Sequence, residues 1–256
     1  GHNYGGHLAA TGHVQIVSIC DKYPEKIEKV KRIVQDRALT LEYKKKIPQT
    51  PITKGRSWKN MQFSFPENIV RIGTVFSGIG AIEHAFQRLG LNHRIIFAGD
   101  IEPKCKQSYF ANYEIREEDW FTDIRDFDAQ KYKDKVDFVV GGAPCQAFSM
   151  VGRRLGFEDA RGTLFYEFAR VIKETQPKVF LFENVKGLTN HDNGRTWNVI
   201  HSIFAELGYQ VCYRVLNSKD YGIPQHRERI FCIGFREPRQ FEFPAQIGRA
   251  SCRERV

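Results

Sequence analysis

The chain has 256 residues, 41% hydrophobic and 13% aromatic, enough for one large domain or two small ones with a sizeable core. No run of about 18 apolar residues is present, which argues against a membrane span, and the first twenty residues lack the basic-then-apolar order of a secretory signal. The net charge of +9 sits mostly in one place: Lys22 to Asn60 holds 12 basic against 4 acidic residues, whereas Met61 to Pro244 holds 24 against 24. The basic stretch suits either phosphate contact or a solvated helix face. The six cysteines are scattered without a C-x-x-C pair, as expected of reduced thiols. The spacing of His2, His7, His13 and Cys20 fits no zinc pattern, so no metal is expected.

Along the chain, Gly1 to Gly12 reads as irregular and Pro24 to Leu41 as one amphipathic helix. Lys44 to Asn60, with two prolines and many charges, reads as a linker. From Ile69 onward strands and helices alternate. The strands are expected at 70–76, 93–98, 136–140, 179–183, 209–215 and 230–235. The helices are expected at 81–89, 103–112, 161–175 and 192–207, the second opening on Pro103. This order predicts an α/β fold with a doubly wound, mostly parallel sheet. The last two strands have no helix between them and predict an antiparallel pair at one side. Residues 1–65 are expected to form an N-terminal extension, 66–244 the main domain and 245–256 an unrelated tail.

Four constellations carry chemistry. Phe76-Ser-Gly-Ile-Gly80 follows a strand and opens a helix, where glycines admit a nucleotide-like ligand. Asp100, at the end of the next strand, is placed to hold a ribose, with Ile101 as an apolar platform beside it. Position 83 is Glu where a dinucleotide fingerprint has Gly. A pyrophosphate facing Glu83 would be repelled, whereas S-adenosylmethionine, with ribose and adenine but no phosphate, would not. That pattern disfavours a nicotinamide oxidoreductase. Asp123, followed by Ile124, is a candidate acceptor for an adenine amine or an ordinary turn residue.

The second constellation is Gly141-Gly-Ala-Pro144-Cys145, just past a buried strand, with Pro144 stiffening the loop that carries Cys145, the candidate nucleophile. The third is Glu183-Asn184 at the end of an apolar strand, where a carboxyl facing a cleft would be desolvated, its pKa raised, and so able to hold a proton near neutrality. The fourth is Gln225-His-Arg227-Glu-Arg229, whose two arginines project to one side of an extended segment and suit an anionic or carbonyl-bearing substrate.

Together, in this order, Phe76-Ser-Gly-Ile-Gly80, Gly142-Ala-Pro-Cys-Gln-Ala-Phe-Ser149, Glu183-Asn-Val185 and Gln225-His-Arg-Glu-Arg229 resemble the blocks of the DNA cytosine-5 methyltransferases, most of all the bacterial restriction-modification type. Gly156-Phe-Glu-Asp-Ala-Arg-Gly-Thr-Leu-Phe165 and His191-Asp-Asn-Gly194 resemble that group too. The resemblance runs from about Val70 to Phe235. It implies a Rossmann-like S-adenosylmethionine-dependent fold. It also implies a cytoplasmic bacterial monomer, without membrane attachment, acting on double-stranded DNA with a flipped cytosine.

By the same resemblance Cys145 attacks C6 of the base, Glu183 contacts N3 and the exocyclic amine, Arg229 holds O2, and Arg227 lies near the thiol. Gln146, Ser149, Asn184 and Gln225 fall at substrate-binding positions. Phe76, Gly78, Gly80, Asp100, Ile101, Asp123, Ile124, Pro144 and Leu164 fall at the cofactor pocket, with Ile101 in place of a common aromatic. The loop from Gln146 to Arg161 corresponds to a segment that closes on DNA. No counterpart of the family's target recognition domain or of its final block is visible, and Ile247 to Val256 matches nothing in it. Weak or absent DNA methylation is therefore expected of this chain, as of a truncated gene. The tRNA-directed branch and a non-catalytic nucleic-acid binder of the same fold are the alternatives.

Overall fold

The protein is represented by a computed structural model, which describes residues 47–52, 68–144 and 164–246. The expected helix at Pro24 to Leu41, the closing loop with Cys145, Gln146 and Ser149, and the 247–256 tail lie outside the described residues.

The elements are β1 (Val70–Val75), α1 (Ala81–Arg88), β2 (His93–Gly99), α2 (Pro103–Asn112), β3 (Trp120–Phe121), β4 (Phe138–Gly141), α3 (Leu164–Thr175), β5 (Val179–Val185), α4 (Arg195–Glu206), β6 (Gln210–Asn217) and β7 (Glu228–Phe235). The strands form one sheet in the order β3-β2-β1-β4-β5-β7-β6. β1, β2, β3, β4 and β5 are parallel. β7 is antiparallel to both β5 and β6. The expected doubly wound sheet is present, and its antiparallel part has a specific form. β6 and β7 form a hairpin in which the last strand is not the edge: β7 inserts between β5 and β6.

Strand order reverses direction between β1 and β4, which are direct neighbours with Val75 opposite Gly141. In an open α/β sheet, the crevice at the carboxyl ends of such a pair is where ligands bind. The segments after β1, β2, β3 and β4 all emerge there.

Aromatic packing holds the frame. Phe165 and Phe168 of α3, Phe180 and Phe182 of β5 and Phe204 of α4 are fully buried, with Phe180 and Phe204 centroids 4.4 Å apart. Burying each such ring is worth roughly 1.5–3 kcal/mol. On the same face, towards β2 and β3, Phe121 stacks on Phe127 at 4.1 Å, and Phe97, opposite Gly73, packs on Phe127 and Tyr132.

Three elements differ from expectation. β3 is only two residues long, too short for any period to show in sequence. β1 stops at Val75 because Phe76 turns left-handed, at φ 55°. α4 begins at Arg195 rather than Asp192 because Asp192, Asn193 and Gly194 are all left-handed, which a right-handed helix cannot contain. Gln49 to Ile52, within the stretch read as linker, dock on the sheet. Thr50 exchanges backbone and side-chain hydrogen bonds with Tyr213 of the edge strand β6, and Ile52 bridges Phe243. The compact unit containing the sheet begins at Gln49.

Candidate active site

β5 alternates in burial, and that alternation sorts two adjacent polar residues. Phe180, Phe182 and Asn184 are buried on one face, while Leu181 and Glu183 lie on the other. Asn184, expected among substrate-binding residues, is only 4% exposed. Its amide donates to the carbonyl of Ala143 at 2.7 Å, and its Oδ1 accepts from the Val185 amide at 2.9 Å. It therefore ties β5 to the turn that leads into Pro144 and Cys145.

Glu183 takes the opposite direction. In the β5–β7 ladder it faces Phe231, and Val185 faces Arg229. Arg229 is thus the diagonal neighbour of Glu183 on the same face, within reach of a long side chain. Its Nε lies 3.1 Å from Glu183 Oε1. Gly142 stands close by. A Cβ there would lie 3.0 Å from Glu183 Oε2 and 3.3 Å from its carbonyl oxygen, so the missing side chain makes room for the carboxyl. Burial pushes the Glu183 carboxyl above the usual carboxylate range, and the positive charges of Arg229 and Arg227 oppose but do not cancel it. Arg227 itself is exposed. Its backbone is fixed by the Asn217 side chain, which accepts from its amide at 3.3 Å, and by Ser218, whose amide donates to its carbonyl at 3.1 Å. Gln225 is exposed, and its carbonyl accepts from the Ser218 hydroxyl at 2.6 Å.

A cavity of about 340 Å³ opens at the β1/β4 reversal. Of the expected cofactor residues, Phe76, Asp100, Ile101, Asp123, Ile124, Pro144 and Leu164 line it. Gly78 and Gly80 do not; they shape the turn behind Phe76. Gly80 is left-handed at φ 87°, and a Cβ there would lie 2.1 Å from the Tyr113 ring. Both conditions admit only glycine. The Gly78 amide donates to Asp100 Oδ2 at 2.9 Å, and the Glu102 amide to Oδ1 at 3.0 Å. Each carboxylate oxygen keeps a second lone pair for a hydroxyl. Ile101 is 66% exposed at the cavity mouth, as an apolar platform should be.

Sequence reasoning missed Phe121 and Thr122, which reach the cavity through β3, and Glu167 of α3. It also missed that Asp123 is engaged by its neighbour. Arg125 Nε sits 3.0 Å from both Asp123 oxygens, and this pairing holds the Asp123 carboxyl below the usual range. The expectation for Glu83 needs correction. It does not face the cavity but is buried, 1% exposed, against Thr74 and Tyr109. Other residues disfavour a phosphate here. Asp100, Asp123 and Glu167 line the cavity; among the described lining residues Arg125 is the one cation, and it is paired with Asp123, as Glu167 is with Arg170. Apolar walls with carboxylates suit a ligand bearing a sugar, an aromatic base and positive charge. Among the described residues no group of three His, Cys, Asp or Glu side chains is placed to hold a metal, and no helix is long and apolar enough to cross a membrane.

Comparison with known proteins agrees with this geometry. An orphan methyltransferase of Bacillus phage SPR, M.SPRI, is 45% identical over 66% of this chain and 38% of its own length. The type II methyltransferase M.NgoBI of Neisseria gonorrhoeae is 43% identical over 68% of this chain and 53% of its own. The chain thus spans between about a third and a half of the length of such relatives. Among solved structures, the Entamoeba histolytica methyltransferase EhMeth superposes with a TM-score of 0.57 at 18% identity, covering 72% of this chain and 58% of that one. The Dnmt2 methyltransferase of S. pombe gives 0.55 at 19%, covering 68% and 52%. These two show a shared fold. The family described as C-5 cytosine-specific DNA methylase matches residues 70–252, past Phe235 and into the 245–256 segment expected to be an unrelated tail. A match over that much of the chain, spanning Phe76, Asp100, Glu183 and Arg229, makes this chain a member of the C-5 cytosine-specific DNA methylase family.

Proposed function

We propose that this chain carries the catalytic machinery of a DNA cytosine-5 methyltransferase of a restriction-modification system, with S-adenosylmethionine as methyl donor. The observation that carries the reading is the insertion of β7, which puts Arg229 on Glu183 beside Gly142, at the turn leading into Cys145 and next to the cavity lined by Asp100 and Ile101.

The residues present fit the cofactor. Asp100 would accept from the ribose hydroxyls, Ile101 and Phe76 would sandwich the adenine, and the carboxylates would favour the sulfonium charge. When bound, the cofactor supplies an electrophilic methyl group. The chain's own residues do the rest. The Cys145 thiolate adds through Sγ to C6 of a flipped cytosine. As that bond forms, the ring's electron pair moves toward N3, where Glu183 supplies a hydrogen bond or proton, favoured by its desolvation. Arg229 orients Glu183 and holds O2. C5, now electron-rich, is the position that would receive the methyl group. Loss of the C5 proton to a base then expels the thiolate and restores the ring. Arg227 adds positive charge that lowers the thiol pKa.

The test uses the whole 256-residue chain with S-adenosylmethionine and duplex DNA containing 5-fluorocytosine, which cannot lose its C5 substituent as a proton. The expected result is cofactor binding and a covalent adduct, slow and with little sequence preference, absent in Cys145→Ser. Adduct on tRNA but not on DNA would redirect the reading to RNA. Absence of both cofactor binding and adduct would overturn it.

A further inference from the structure

We infer that Glu83, which touches neither the cavity nor the reacting base, is the positioning residue that sets the shape of the cavity's β1 and β2 walls. This rests on the reading of that cavity as the cofactor site.

The carboxyl of Glu83 is enclosed, and so are its partners: Thr74 is 2% exposed and Tyr109 0%. Glu83 Oε1 accepts from the Thr74 hydroxyl at 2.8 Å and from the Tyr109 hydroxyl at 2.5 Å. Burial and the nearby carboxyl hold the Tyr109 hydroxyl far above the usual phenol range, so it remains a donor at any working pH. A hydroxyl has one proton. Since Thr74 gives its proton to Glu83, Thr74 Oγ1 is left as an acceptor toward Ser77 Oγ, 2.9 Å away. The Ser77 proton therefore points to Thr74, either to its hydroxyl or to its carbonyl at 3.1 Å. That leaves the lone pairs of Ser77 free to accept from the Gly99 amide at 3.0 Å. The Ser77 amide returns a bond to the Gly99 carbonyl at 3.0 Å.

A single direction thus runs from the end of β2 through Ser77 and Thr74 to Glu83. It locks the carboxyl ends of β1 and β2 together. Phe76 and Asp100 sit immediately beside those two locked residues. Phe76 is held left-handed at φ 55°, a conformation that persists in a bulky residue only when its surroundings fix it. Asp100 holds the Gly78 amide across the same junction. Without an acceptor at Glu83 Oε1, the Thr74 proton is free to turn to Ser77, where it competes with the Gly99 amide and unlocks the turn.

Three variants of the full chain test this: Glu83→Gln keeps an acceptor oxygen, Glu83→Leu removes it, and Thr74→Val breaks the relay with little change of shape. Two readouts apply. One is amide hydrogen exchange at Ser77, Gly78 and Gly99, referenced to Ile200 and Ile203 in α4. The other is the dissociation constant for S-adenosylmethionine. Loss of one buried hydrogen bond corresponds to up to about a tenfold change. Thr74→Val and Glu83→Leu should speed exchange at the three turn amides about tenfold and weaken cofactor binding to a similar degree, with α4 unchanged and Glu83→Gln near wild type. If Glu83→Leu does not fold, Thr74→Val carries the test. Unchanged turn exchange in a folded Thr74→Val protein overturns the inference, as does a Glu83→Gln protein as perturbed as Glu83→Leu. Wild-type protein that fails to bind the cofactor overturns the cofactor reading of the cavity, and exchange in the free protein still decides the relay.

Discussion

Asn184 offers a sharp test of how the segment ending at Pro144 is held. Replacing it by Ala removes the donor to the Ala143 carbonyl and the acceptor for the Val185 amide. Ala143 is 3% exposed, so water cannot readily replace the lost partner. A buried polar group left unpaired costs about 1–3 kcal/mol. With a urea m-value of about 2 kcal/mol/M, a loss of about 2 kcal/mol lowers the unfolding midpoint by about 1 M. The adduct-forming rate on 5-fluorocytosine DNA should fall as well, because the freed carbonyl belongs to the residue before Pro144 and Cys145. Asn184→Asp keeps the acceptor but sets a carboxylate against a carbonyl, and should be at least as damaging at neutral pH. A midpoint within about 0.2 M of wild type, with an unchanged m-value, would refute the assigned role.

Other outcomes follow from the same geometry. Glu183→Gln should slow adduct formation by roughly 10²–10⁴. In the wild type the rate should decline as pH rises through the raised Glu183 pKa, and the Gln variant should lack that decline; an identical pH profile in both would exclude proton holding by Glu183. Asp137 accepts from Arg71 at 2.8 and 3.0 Å and pairs with Lys178, which holds its carboxyl well below the usual range. A depressed carboxyl stabilises the fold above its unfolded pKa of about 4, and that stability is lost as pH falls through the folded value. Asp137→Asn should therefore cost about 1.5–3 kcal/mol at pH 7, with the gap to wild type closing in acid, as followed by chemical denaturation at each pH. Gly80→Ala should cost about 1–2 kcal/mol from its left-handed backbone alone and more from the Tyr113 ring, and thermal unfolding reads the sum.

What the sequence by itself determined was local. Among the described residues, apolar runs and alternation located six of the seven strands, and the segments between them, with Gly90 and Pro103 as boundaries, located the four helices, because period and turn chemistry are properties of neighbouring residues. The four motif blocks already carried the family. The tertiary structure alone decided which neighbours meet. Glu183 and Arg229 are brought together by β7 entering between β5 and β6, and no period in either strand specifies its partner. The pleat of a paired strand turned Asn184 inward and left Glu183 at the cleft. A helix start read as ligand-facing turned Glu83 into the core, since its direction depended on Thr74 and Tyr109, nine and 26 residues away along the chain. β3 brought Phe121 to the cavity through two residues, too few for a pattern. Side-chain roles at this site are set by long-range pairing, which a linear spacing does not contain.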